Sequence, residues 1–194
     1  MKLILSSCDF RNEKSKKTII NNLLKPIESC SVLFFPNEKA TFETIHSEKY
    51  ILRLQGFGFS KENIIVFDYY NPNQFYDLKI DVIYISGGNT FLTLDRINKC
   101  GFTTKLIEYI KSGVIYIGGS AGAHIVTADI SHLCGIDEVP LNIKNFSGLG
   151  LFDGILICHY TEERKSLYLE LKNQNRKVIK LTDDDSLVID TNNI

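Results

Sequence analysis

Apolar runs of four or five residues recur along the chain, separated by longer stretches whose apolar positions fall at helical spacing. Residues 2–6, 31–35, 63–67, 82–85, 114–117, 155–158, 178–181 and 186–189 read as strands. Between them, 13–24 reads as a helix stopped by Pro26, and 41–54 as a helix on which Ile45, Tyr50, Ile51 and Leu54 share a face. Residues 91–111 read as one or two helices with a break at Gly101, and 121–128 as a short helix. Runs such as VLFF, IIVF and VIYI lack polar alternation, as expected of strands covered on both faces. The alternation predicts an α/β fold of three layers, αβα, around a mostly parallel sheet. No repeat or low-complexity tract interrupts it, and 68–77, rich in Tyr, Asn and Pro, reads as a surface loop. Residues 1–194 are therefore expected to form a single domain.

Composition narrows the function classes. At 44% hydrophobic and 23% charged residues the chain has enough apolar surface for a core and is not of the disordered class. The net charge of -1 is dispersed, with no basic stripe, which argues against nucleic acid as a partner. No apolar run reaches the length of a membrane span, and the first residues read as a buried strand rather than a signal peptide. A cytoplasmic location without membrane partners is expected. Cys8, Cys30, Cys100, Cys134 and Cys158 are odd in number and contain no C-x-x-C pair, so reduced thiols are expected rather than disulfides or a zinc motif.

In parallel sheets, reactive groups collect where strands run into helices at their carboxyl ends. Gly118-Gly119-Ser120-Ala121-Gly122 satisfies G-x-S-x-G between a strand and a helix. A serine there sits on a strained turn with its hydroxyl outward, and the next N–H groups point at a developing oxyanion. The same residues would serve a tightly packed turn in which Ser120 only caps the helix, or a phosphate cradle. Ser86-Gly87-Gly88-Asn89-Thr90 ends the preceding strand in like fashion, so the N–H groups of Gly88 and Ala121 form a candidate oxyanion hole. Asn89 or Thr90 equally suits a helix N-cap.

A serine hydroxyl needs a base. His46 falls in a helix, His124 one turn past Ser120, and His132 in a loop; His159 follows an apolar strand directly and is the best-placed candidate. An orienting acid is available in Asp183-Asp184-Asp185, which otherwise reads as an exposed acidic turn or a cation loop lacking the EF-hand glycine and glutamate.

The order GGNT, GGSAGA, a strand ending in His, then an acidic loop resembles peptidase family S51, which includes aspartyl dipeptidases and cyanophycinases. The resemblance implies a fold like the class I glutamine amidotransferases (flavodoxin-like), with serine in place of their elbow cysteine. It implies Ser120 as nucleophile, His159 as base, Gly88 and Ala121 as oxyanion donors, and an acid at Asp183, with Asp184 as the alternative. The family's usual Glu is here an Asp, one methylene shorter. Asp137 is implied as a partner for a substrate amine and Arg164 for an acidic side chain, although Glu162 and Glu163 flank the latter. The resemblance implies a small peptide substrate, possession of serine chemistry needing neither cofactor nor metal, and an N-terminal aspartate preference as one option. A non-catalytic binding homologue, or a hydrolase of esters or of a β-aspartyl polymer, are the alternatives; the oligomeric state stays open.

Overall fold

Six strands form the central sheet of the computed structural model, which describes residues 1–174 and 176–191. They are β1 (Lys2–Ser6), β2 (Val32–Phe35), β3 (Ile64–Val66), β4 (Val82–Ile85), β5 (Ile115–Gly119) and β8 (Ser186–Asp190), in the order β3-β2-β4-β5-β1-β8. All neighbours are parallel except β8, which runs antiparallel to β1. β6 (Ile155–Ile157) and β7 (Val178–Lys180) pair in parallel as a separate two-stranded sheet. The unalternated strands β2, β4 and β5 are buried at every position, as coverage of both faces requires. The antiparallel edge departs from the parallel pattern for a simple reason. The link between β7 and β8, residues 181–185, starts at the carboxyl end of β1, where the Ser7 hydroxyl donates to Leu181 O at 3.0 Å, so β8 enters the sheet at that end, opposite Ser6, and runs back along β1.

Helices surround the sheet: α1 (Glu13–Asn21), α2 (Phe42–Ile45), α3 (Lys49–Phe57), α4 (Thr90–Lys99), α5 (Thr103–Lys111), α6 (Ala121–His124) and α7 (Lys165–Asn173). Several are shorter than periodicity alone suggests, because polar side chains take the carbonyls that would continue them. α1 stops at Asn21, where the Asn22 amide donates to Thr18 O at 2.9 Å. The 41–54 segment is two helices: Ser47 Oγ donates to Thr44 O at 2.8 Å, the carbonyl that the next turn would use. α6 ends at His124, whose carbonyl accepts the Thr127 hydroxyl at 2.8 Å. Asn89 caps α4 by accepting the Leu92 N–H at 3.0 Å.

Close backbone approach dictates glycine at the β5–α6 turn. A β-carbon on Gly122 would collide with the carbonyl of Ile85 on β4, which is backbone and cannot move aside. Gly122→Ala is therefore expected to cost about 1–3 kcal/mol by forcing strand and helix apart. Gly56, inside α3 with open space around it, provides the control: Gly56→Ala should stabilise by about 0.5–1 kcal/mol through helix propensity. Thermal unfolding of both variants checks this, and equal behaviour of the two would contradict the close-approach argument.

Candidate active site

The carboxyl ends of β4, β5 and β1 lie side by side. Gly118 is in register with Ile85, Gly119 is in register with Ser6, and the Ser120 N–H donates to Ser6 O at 2.8 Å. Ser120 follows β5 with φ 50° and ψ -108°, a backbone conformation that side-chain-bearing residues rarely adopt. Asp9 (φ 47°) and His159 (φ 52°) are the other non-glycine residues of positive φ among those described, and all three converge here. Such backbone costs on the order of 1–3 kcal/mol per residue and persists where surrounding contacts over-determine it.

Ser120 Oγ lies 3.0 Å from His159 Nε2, and His159 Nδ1 lies 2.6 Å from Asp183 Oδ1. The hydrogen bond to His159, followed by that from Cys8, holds the Asp183 carboxyl below its ordinary range despite the opposing effect of burial. An ionised carboxylate only accepts, so Nδ1 carries the ring proton and Nε2 offers its lone pair to the Ser120 hydroxyl. The short β7–β8 link is what delivers Asp183. Asp184 faces away: its carboxylate accepts from Lys14 Nζ at 2.6 Å and Asn12 Nδ2 at 2.9 Å.

Side chains outside the three hold the histidine loop. Ser7 Oγ accepts the His159 N–H at 3.0 Å and donates to Leu181 O at 3.0 Å, tying β1 to the ends of β6 and β7. His124 points away from the Ser120 hydroxyl and accepts the Cys158 N–H at Nε2, 3.3 Å, with Nδ1 3.4 Å from Thr90 Oγ1. Burial, then the charges of His132, His159 and Arg164, depress its pKa to about 3, so His124 stays neutral and can accept. His132 Nε2 lies 2.8 Å from Leu156 O, and His46 pairs with Asp68 at 3.2 Å, so neither reaches the serine.

The backbone donors are placed as follows. Gly87 packs against Ser120, and the N–H groups of Gly88 and Ala121 have no acceptor among the described residues. Asp137 Oδ2 accepts the Thr90 N–H at 2.8 Å, and Glu138 O accepts the Asn89 amide at 2.7 Å, folding that loop onto the start of α4. Arg164 Nη1 donates to Cys158 O, bracing the backbone before His159.

Two charged residues not singled out from the sequence flank the Gly87-Gly88 turn. A β-carbon built on Gly87 would touch both Arg11 Nη2 and Ser120 Cβ at 3.3 Å, so the guanidinium and the serine border the same space. A β-carbon on Gly88 would strike the Glu38 carboxylate. Arg11 is aimed by Asp9, a fully buried carboxylate that accepts from Arg11 Nε at 3.1 Å and from Ser86 Oγ at 3.0 Å. Asp9 in turn fills the space that a side chain at Gly119 would occupy. Applying the strand-end rule to β1, and not only to β4, β5 and β6, would have pointed to Ser7, Cys8, Asp9 and Arg11.

A serine on a strained strand-to-helix turn, an imidazole and a carboxylate in line have the geometry of the Ser-His-acid hydrolases. The chain belongs to peptidase family S51, whose model matches residues 2–194. It is 36% identical over 86 residues to an uncharacterized peptidase of Pasteurella multocida (strain Pm70), an alignment covering 43% of this chain and 41% of that protein. It is 33% identical over 84 residues to peptidase E of Salmonella arizonae, covering 43% and 35%. The matched stretch thus spans about two-fifths of the length of these curated relatives. A crystal structure of a candidate peptidase E from Listeria monocytogenes EGD-e superposes with a TM-score of 0.72 at 22% identity, covering 97% of this chain and 93% of that one. The fold is accordingly the α/β, class I glutamine amidotransferase-like one expected from the resemblance. Among the described residues, no helix is long and apolar enough to cross a membrane.

Proposed function

We propose that the protein is a serine peptidase that cleaves short peptides by acyl transfer, with Ser120 as nucleophile, His159 as base and Asp183 as its orienting acid. The observation that carries this reading is the continuous hydrogen-bonded line from Ser120 Oγ through both ring nitrogens of His159 to Asp183. His159 Nε2 takes the hydroxyl proton as Oγ bonds to the peptide carbonyl carbon, and the carbonyl oxygen becomes an oxyanion facing Gly88 and Ala121 N–H. The imidazolium returns that proton to the leaving amine, the C–N bond breaks, and an ester remains on Ser120. Water, deprotonated by the same nitrogen, then releases the acid. A phosphonate probe directed at serine should add its mass to Ser120, and a panel of dipeptides, simple esters and β-aspartyl polymer identifies the substrate. Probe mass on another residue, or none with the fold intact, would remove Ser120 from the mechanism.

Charge around the turn favours a dipeptide carrying an acidic residue, aspartate at its N-terminus being the option tested first. Arg11, next to Ser120, offers a free Nη2 for a carboxylate, a role better suited to it than to Arg164, which is engaged with backbone. Glu38 and Asp137 lie on the Gly88 side, where an ammonium group would be attracted. Charge-assisted hydrogen bonds contribute about 1.5–3 kcal/mol. Arg11→Met should therefore raise KM for acidic dipeptides by about 10- to 100-fold and leave neutral ones little changed. Equal losses on both substrate types would exclude Arg11 as the reader of the side chain.

A further inference from the structure

Three donor atoms of different kinds meet on the solvent side of the imidazole. The Cys8 sulfur, a ring nitrogen of His159 and a carboxylate oxygen of Asp183 lie within 4.8 Å of one another. Cys8 follows β1, His159 follows β6 and Asp183 follows β7, so the cluster is assembled by the fold and leaves no ligand spacing in the sequence. The geometry points to a binding site for a zinc-like divalent cation formed by Cys8, His159 Nδ1 and Asp183, whose occupation switches off the serine–histidine pair.

The donor set selects the ion. Thiolate, imidazole and carboxylate suit Zn²⁺, at about 2.3 Å from sulfur and about 2.0–2.2 Å from nitrogen or oxygen, with a fourth position left for water. Magnesium and calcium prefer all-oxygen shells. Ligands on a tetrahedral zinc stand about 3.5 Å apart, so the cluster must close at its widest pair and open between His159 and Asp183. Those two side chains are 37% and 63% exposed, which gives both room to adjust and a path from solvent. Nδ1 is the nitrogen that faces Asp183, while Nε2 faces Ser120. A thiolate and a carboxylate together balance the dication, and the nearby Arg11 charge is already paired with Asp9.

The proton balance explains the inhibition, which rests on the reading of Ser120 and His159 given above; binding itself rests only on the cluster. Zn²⁺ displaces the thiol proton of Cys8 to solvent and takes the Nδ1 lone pair. The ring proton moves through solvent from Nδ1 to Nε2, leaving the imidazole neutral. Nε2 then holds a proton, becomes a donor toward Ser120 Oγ and cannot accept from it.

Cobalt titration of the intact protein tests the site, because a cobalt–thiolate bond adds a near-ultraviolet charge-transfer band. The band is expected with the unmodified protein and with Cys134→Ser, displaced by added zinc, and lost in Cys8→Ala. Zinc should inhibit dipeptide hydrolysis reversibly with a chelator, and Cys8→Ala, measured against its own metal-free rate, should need at least about tenfold more zinc for half-inhibition. No thiolate band, or a band that survives in Cys8→Ala, overturns the site whatever hydrolysis does. A Cys8-dependent band with zinc-insensitive hydrolysis overturns the inhibitory step. Absence of hydrolysis in the metal-free protein counts against the peptidase reading instead, and the cobalt spectra still decide the metal site.

Discussion

Ser120→Ala is expected to lower kcat on a cleaved dipeptide by about 10⁴- to 10⁶-fold while leaving KM within a few-fold. The change removes one atom, Oγ, whose hydrogen bond is to His159 Nε2. It does not remove a helix cap, because the Ser120 side chain makes no cap bond to α6. Alanine carries the same β-carbon at the same strained φ, so the turn is no harder to form, and thermal stability should hold within about 0.5 kcal/mol. Residual rate would come from the Gly88 and Ala121 N–H groups and from substrate positioning. The Cys8 sulfur also lies within 4.8 Å of a His159 ring nitrogen, but burial and then Asp183 push its thiol up to about 11, so little thiolate exists at neutral pH. Single-turnover kinetics with the purified variant make the check. A loss below about tenfold, with folding unchanged, would end the assignment of Ser120 as nucleophile.

Much of this was legible in the sequence because strand ends and glycine turns leave local marks. The fully apolar runs VLFF and VIYI became buried strands, and the GGSAGA turn placed Ser120 where a parallel strand enters a helix. Helix ends were less legible, since they depend on which side chain captures a carbonyl: Asn22, Ser47 and Thr127 each do so from positions that periodicity does not weigh. The separation of β6 and β7 from the main sheet is a tertiary outcome, and no run of residues records which strand another will pair with. The supporting shell was hidden for the same reason. Ser7 and His159 are joined by a hydrogen bond across 152 positions, and Arg11 gains its meaning only through Asp9, a buried carboxylate that local sequence marks as an ordinary polar residue. Asp183 and Asp184 are equivalent in composition, and what separates them is tertiary: Asp183 meets His159, while Asp184 is held by Lys14 and Asn12.

Asp183→Asn should reduce kcat by about 10³-fold, whereas Asp184→Asn should leave it unchanged. The asparagine amide can donate to Nδ1, which moves the ring proton to Nε2 and removes the lone pair that accepts from Ser120. It also withdraws the negative charge that steadies the imidazolium formed in acyl transfer. The effect stays short of the larger losses seen at wholly buried acids, because the Asp183 side chain is 63% exposed and water screens part of its field. Asp184 instead forms an exposed pair with Lys14, which solvent screens and which therefore adds little to stability. The pH dependence follows from the depressed carboxyl pKa: the contribution of Asp183 is complete above the unfolded value of about 3.9 and fades only as pH falls through the lower folded value. The contribution of Asp183 to folding stability, read as the difference in thermal unfolding between the unmodified protein and Asp183→Asn, should therefore persist from pH 5 upward (about a unit above that range) and shrink only in stronger acid. An Asp184→Asn loss of kcat matching that of Asp183→Asn would transfer the role of orienting acid away from Asp183.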